Sequence, residues 1–285
     1  AILRVFDRHG ERNSRHKARM KFLIQKIGFE EFMNLVNAET KALKNHSFAI
    51  ADASAWKVSE PSLKADIKAP ETAEYQTWID TNTFEQKQKG FHAVYVRILN
   101  GNISSDTSRS LIEALKGYIG DDVRITINQG LMLKFVPTAN LPYVFQVLNA
   151  HGLAAPGANS IANITACPGT DTCNLAISDS THITSKLEQV INEEFPSLIH
   201  DSAMKIKISG CMNACGQHSM ASIGFHGSSL KAADKRVLPA LQVLIGGATL
   251  GNGDGRIADK VIKVPLKTQV SEPLMRVRRA FAKYF

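Results

Sequence analysis

Apolar residues recur along the chain in two periods, and the changes between them divide it into three stretches. In residues 13–36, Ala18, Phe22, Ile24, Ile27, Phe29, Phe32 and Val36 return at roughly helical spacing. Asn13 or Ser14 suits an N-cap and Gly28 interrupts the run, so two short helices are predicted. Residues 37–88 are polar, with scattered Ala, Lys and Glu and with Pro61 and Pro70. Despite Trp56 and Trp78, they read as a connector with few core residues lying along a surface. Residues 1–89 thus form a basic helical segment followed by a polar linker.

A denser pattern follows in residues 90–155. Residues 91–99 alternate as a strand, Asn100–Gly101 is a turn signal, and 108–118 have helical periodicity. Residues 123–127 and 131–136 read as strands flanking Gly130, and 141–151 as a helix ending at Gly152. The order β-α-β-β-α suits a ferredoxin-like half-repeat. A Pro/Gly/Ala/Asn stretch at 154–159 marks a boundary. In residues 156–285 a loop leads to a helix at 183–195 and to strands at 205–209, 223–225 and 242–245. A glycine-rich turn at 246–255 and a closing helix at 272–285 complete a second, α/β unit. The predicted class is α+β.

Composition narrows what such a chain can do. With 285 residues, 44% hydrophobic and 21% charged, it is an ordinary globular sequence, and a disordered chain is excluded. No apolar run approaches the roughly 20 residues a membrane helix requires. Net charge is 34 − 26 = +8, with eight Lys/Arg against two acids in residues 1–28, which points to anionic partners. The sequence starts at Ala1 with neither an initiator Met nor an apolar signal segment, so a piece of a longer, cytoplasmic protein is expected.

The four cysteines, Cys167, Cys173, Cys211 and Cys215, fall within 49 residues of a chain otherwise free of cysteine. Two close pairs in a chain able to bury its own core read first as a metal site rather than a disulfide framework. Zinc ribbons favour two-residue gaps, whereas the gaps here are five residues (168–172) and three (212–214). Cys211 and Cys215, four apart, would share a direction on a single helical turn. Four thiolates match a [4Fe–4S] cluster. Spacing alone still leaves zinc and unligated structural cysteines as alternatives.

The surroundings of the cysteines carry a resemblance. Residues 166–173 read Ala-Cys-Pro-Gly-Thr-Asp-Thr-Cys and 208–217 read Ile-Ser-Gly-Cys-Met-Asn-Ala-Cys-Gly-Gln. They resemble the C-x5-C and G-C-x-N-x-C-G motifs of the sirohaem-containing nitrite and sulfite reductases. Residues 124–137 (RITINQGLMLKFVP) look like the strand–turn–strand of that family's second ferredoxin-like repeat, and 10–28 (GERNSRHKARMKFLIQKIG) like its basic helix. The order is the family's own, from near the N-terminus to at least Gly227. Met212 stands where the family often has Pro, and Ser219–Met220 where a His pair is common; neither change removes a ligand.

The resemblance implies a ferredoxin-like half-repeat followed by an α/β unit that binds sirohaem and a [4Fe–4S] cluster. It also implies six-electron reduction of nitrite or sulfite. Cys167, Cys173 and Cys211 would hold three cluster irons, and Cys215 would bridge the fourth to the sirohaem iron. Arg19 would face a sirohaem carboxylate, and Asn128 and Gln129 would touch the macrocycle. Asn213, with backbone N–H groups near Gly169, Gly210 and Gly216, would tune the cluster. The chain looks like the C-terminal half of such an enzyme. The partner half, absent from this sequence, would carry the substrate-gripping cations, so no catalytic residue is assignable and the isolated chain could lack activity and cofactors. Its electron donor would be a ferredoxin or a flavoprotein.

A different class, a zinc-stabilised nucleic-acid-binding protein, would use the same cysteines and the basic helix. The remaining features are plain. The nine His are dispersed, and His218 near the second cysteine loop is not expected to be a ligand. The 246–255 run is a hairpin rather than a dinucleotide fingerprint. Phe135, Phe225 and Phe281 are expected in the core.

Overall fold

The computed structural model describes residues 1–14, 17–44, 60–64, 67–233, 235–249 and 255–266. The predicted closing helix at 272–285, with Phe281, and Trp56 lie outside the described residues. The chain divides into two compact units, Ala1–Lys57 and Val58–Phe285.

The first unit is three helices: α1 (Ile2–His9), α2 (Met20–Ile27) and α3 (Phe29–Ala42). Val5, Leu23, Phe32 and Val36 form its buried core. Gly28 separates α2 from α3 as expected; its φ of +84° suits glycine, and its N–H caps Ile24 O at 2.8 Å. Neither Asn13 nor Ser14 caps a helix. The Glu11 carboxylate takes both of their N–H groups, at 2.6 and 3.0 Å, and α2 starts only after an extended Arg19. The Glu39 carboxylate, almost buried, accepts from Arg4 at 2.9 Å and also from Arg8, and these bonds hold its pKa below the ordinary value.

In the second unit the helix α4 (Ala73–Asn82) occupies a stretch expected to be surface connector. Thr72 caps it, and Tyr75, Trp78, Ile79 and Asn82, at i, i+3, i+4 and i+7, form one inward face. Trp78 is fully buried, 5.2 Å from the Phe145 ring. The ferredoxin-like module then runs β1 (Thr83–Glu85), β2 (Phe91–Val96), α5 (Ser105–Leu115), β3 (Val123–Ile125), β4 (Leu131–Pro137), α6 (Leu141–Ala150). From β2 onward this is the predicted β-α-β-β-α order. The strands pair antiparallel in the order β1-β2-β4-β3. Val94, Val136, Val144 and Leu148 fill the core between sheet and helices.

The remaining strands form one sheet in the order β11-β8-β7-β6-β5. β5 (Thr165–Ala166), β6 (Ile206–Ser209) and β7 (Ile223–Lys231) are parallel neighbours, and β8 (Val237–Ile245) and β11 (Asp259–Pro265) add antiparallel. Helix α7 (Ser180–Glu194) lays Leu187 and Ile191 on one face, against Ile206, Ile208 and Phe225. β7 and β8 run nine residues each, longer than their buried centres, because their paired outer ends are largely exposed. The glycine-rich run is a hairpin, with β9 (Ala248–Thr249) paired to β10 (Gly255–Arg256). Phe225 is core as predicted, whereas Phe135 is only half-buried, at φ +53° against Phe91.

Candidate metal centre

Both cysteine loops leave the carboxyl ends of neighbouring parallel strands, the end at which open α/β sheets present ligand sites. Cys167 follows β5 directly, and its N–H continues the ladder to Ile208 O at 3.1 Å. Cys211 comes two residues after β6. The two loops interleave backbone to backbone. A Cβ on Gly210 would lie 2.6 Å from Gly169 Cα, and one on Gly227 would lie 2.0 Å from Gly210 O, so glycine is required at both. The loops are tied by Ile177 N–H and Ser178 N–H, which both donate to Gly210 O at 2.8 and 3.2 Å. Gly210 N–H in turn donates to Cys167 Sγ at 3.0 Å.

All four thiols are free of disulfides, and their exposure is graded. Cys211 is buried, Cys167 and Cys173 are partly covered, and Cys215 is exposed. Cys211 and Cys215 do not share a helical turn, contrary to expectation. The segment between them is a chain of turns in which Ala214 is left-handed, at φ 60°, and Gln217 N–H donates to Ala214 O at 2.8 Å. Among the described residues no group of three or more His, Cys, Asp or Glu is disposed around a single metal ion. The Ser178 hydroxyl is buried beside the loops without a hydrogen-bond partner, a polar group left over at the cysteine-bearing end of the sheet.

The other predicted residues fall in different places. Asn213 is exposed between the second pair of cysteines. Asn128 and Gln129, at the β3–β4 turn, reach across to the cysteine-bearing sheet. The Gln129 amide pairs with the edge of β5, donating to Ala166 O and accepting from Ala166 N–H, both at 2.8 Å. Asn128 donates to Asn159 Oδ1 at 2.6 Å and accepts from Thr165 Oγ1 at 3.4 Å. Both amides therefore anchor the half-repeat to the strand that leads into Cys167. Arg19 belongs to the first unit, exposed at the start of α2. Three cations of the same basic stretch, Arg12, Lys17 and Lys26, line a cleft of about 660 Å³ within that unit, together with His9 and Gln25.

Several buried polar groups carried no sequence signal of their role. Ser180, fully buried, donates to Cys167 O at 2.6 Å. Lys207 is buried on the sheet face opposite α7, donating to Gln217 Oε1 at 3.0 Å; burial and then the charge of Lys205 lower its pKa. His218 and His226 lie buried with ring centroids 4.7 Å apart. Burial first, then His226 and Lys260, lower His218 to about 4. Their partnership depends on β7 returning beside the second cysteine loop.

Residues 1–44 and 157–283 match the nitrite and sulphite reductase 4Fe-4S domain, and residues 84–151 match the nitrite/sulfite reductase ferredoxin-like half domain. The chain belongs to the nitrite and sulfite reductase family. Among similar proteins, a sulfite reductase [ferredoxin] of Mycobacterium tuberculosis is 28% identical over 251 residues, 87% of this chain and 41% of that protein. A ferredoxin–nitrite reductase of Synechococcus elongatus is 25% identical over 87% of this chain and 43% of its own length. The family chain thus spans less than half the length of these relatives. The structure of the Mycobacterium tuberculosis NirA protein shares the fold, with a TM-score of 0.66 at 24% identity, over 96% of this chain and 47% of that one. Dissimilatory sulfite reductase I aligns at a TM-score of 0.56 over 68% of this chain and 62% of its own. Among the described residues no helix is long and apolar enough to cross a membrane.

Proposed function

We propose that this family chain is the cluster- and sirohaem-binding part of a nitrite or sulfite reductase. The observation that carries the reading is the pair of interleaved cysteine loops at adjacent parallel strand ends, with Cys211 buried and Cys215 exposed. When bound, the two cofactors supply the chemistry of six-electron reduction, with sirohaem binding the oxyanion and the cluster relaying electrons singly. Cys167, Cys173 and Cys211 would hold the cluster, and Cys215, the exposed thiol, would be the ligand it shares with sirohaem. Gly210 N–H and Asn213 contribute polar groups around these ligands. Asn128 and Gln129, which anchor the half-repeat, would also offer their turn to the macrocycle. Arg19, in the helical first unit, carries the planar fork of donors that suits a carboxylate, and the resemblance implies a sirohaem carboxylate as its partner.

The substrate-gripping cations and the other half of the ferredoxin-like domain would be supplied outside these 285 residues; the relatives matched are more than twice as long. A ferredoxin is the favoured donor, since the relatives are named for it and this chain carries a net charge of +8. Anaerobic purification with absorption, iron, sulfide and zinc analysis tests the reading. Roughly four to five irons per chain, acid-labile sulfide and a sirohaem-type red band support it, a figure set by one cluster plus one haem. One zinc per chain and no colour refute it and favour the four-cysteine zinc alternative.

A further inference from the structure

The sulfur of Cys167 differs from the other three. Gly210 N–H donates to it at 3.0 Å, and Ser180 Oγ stands 3.7 Å away. Among the described residues no other cysteine sulfur has both a backbone N–H and a hydroxyl beside it. Ser180 is fully buried at the start of α7, and its hydroxyl also lies 2.6 Å from the Cys167 carbonyl. It is walled in: a Cβ on Gly169 would come within 2.4 Å of Ser180 Oγ. The hydroxyl therefore faces two acceptors of one residue and little else.

We propose that Ser180 is a positioning residue that sets the reduction potential of the cluster through the Cys167 thiolate; this rests on the cysteines holding a [4Fe–4S] cluster. As a thiol, Cys167 can donate its own proton to Ser180 Oγ while the hydroxyl serves the carbonyl. As an iron ligand the sulfur has no proton and only accepts, so the hydroxyl, donating to the carbonyl at 2.6 Å, can share its one proton with the sulfur 3.7 Å away as a second donor after Gly210 N–H. Reduction adds one electron and no proton to the cluster, and part of the added negative charge falls on the sulfurs. A donor aimed at a ligand sulfur is worth more after that step than before, and so raises the potential. Competition from the Cys167 carbonyl keeps the effect moderate.

The test compares the cluster-loaded full chain as wild type, S180A, S180T and D179A, titrated anaerobically with dithionite and followed by electron paramagnetic resonance. S180A is expected to lower the ratio of reduced to oxidised cluster about tenfold at the wild-type midpoint, which is about 59 mV for one electron. S180T, retaining the hydroxyl, is expected to stay near wild type. Asp179 caps the same helix start by accepting from His182 N–H at 3.0 Å and does not face the sulfur; D179A is expected to lower the melting temperature without moving the potential. An unmoved potential in S180A with full iron content, or an equal shift in D179A, overturns the proposal. Deuteron couplings of the reduced wild-type chain exchanged into D₂O give a check that needs no variant. A hydroxyl deuteron coupled beside the amide one is expected, and its absence overturns the proposal. A wild-type chain that binds one zinc in place of iron and sulfide refutes the functional reading itself, before any potential is measured.

Discussion

Replacing Arg97 by Ala should be among the most damaging single changes in the second unit. Arg97 leaves the end of β2 and crosses to the cysteine-bearing half, where 8% of its side chain is exposed and 12% of its partner Glu188 on α7. Its guanidinium donates to Glu188 Oε2 at 3.0 Å, to Ala162 O at 2.6 Å and to Pro156 O. The second Glu188 oxygen accepts Ile164 N–H at 3.0 Å. Burial lowers the pKa of Arg97 and raises that of Glu188, and in each case the partner's charge pulls the other way. R97A leaves a buried carboxylate without a countercharge and two carbonyls without a donor. Breaking one side of a buried pair costs about 3–5 kcal/mol. R97M/E188M, which removes both charges, should recover more than half of that loss. The pH dependence has a definite sign. A carboxyl whose folded pKa is raised is penalised as pH rises through that value, so the R97A deficit should shrink from pH 8 to pH 5 as Glu188 takes up a proton. Urea unfolding of wild type, R97A and R97M/E188M measures this. An R97A loss below about 1 kcal/mol, or a deficit that grows on acidification, would refute the reasoning.

Three further changes probe other parts of the site. G210A drives a Cβ to 2.6 Å from Gly169 Cα and 2.9 Å from Ala176 Cβ, so it should cost about 1–3 kcal/mol and cut iron and sulfide per chain to a small fraction, read by metal analysis. Q129A deletes both 2.8 Å bonds to β5 and leaves the Ala166 groups unpaired, for about 1–3 kcal/mol in urea unfolding; a loss under 0.5 kcal/mol would mean water replaces the amide. His218, lowered to about 4 by burial, is held neutral in the fold. Stability it contributes is complete above the unfolded value near 6.5 and is lost as pH falls towards 4, by about 2–3 kcal/mol. H218F should flatten that acid limb of the stability profile, and an unchanged limb would assign the loss elsewhere.

Legibility in the sequence followed how strongly one face of each element was marked. The β-α-β-β-α order from β2 to α6 and the Gly28 break are written in alternation and glycine placement. Helix α4 was hidden because its inward face includes Tyr75, Trp78 and Asn82, residues whose polarity masks the i, i+3, i+4, i+7 spacing. α1 was hidden because Val5 alone is buried in a run of charges. The four cysteines were legible from spacing and context, but the turn joining Cys211 to Cys215 was not. Nothing in Met-Asn-Ala announces a left-handed Ala214. Nor could sequence show that Ser180, thirteen residues from Cys167, ends beside its sulfur, since that contact requires α7 to start where the first loop closes.

The geometry of the metal site is a consequence of strand register. Thr165 pairs with Lys207 and Ala166 with Ile208, so Cys167 comes level with Ser209 and the Gly210 N–H meets the Cys167 sulfur. That register is held by the core, because Ile206 and Ile208 pack towards α7 while Lys207 and Ser209 face the other side. A slip by one residue would turn Lys207 into the apolar layer and both isoleucines out of it, an exchange that period-two strands cannot make gradually. Gln129 reinforces the same register from outside by pairing with Ala166, and Gly216 N–H, donating to Ser209 Oγ at 3.0 Å, reinforces it from the second loop. The sulfur positions are therefore fixed by apolar packing a strand's width away, which lets the loops that carry them consist largely of turns.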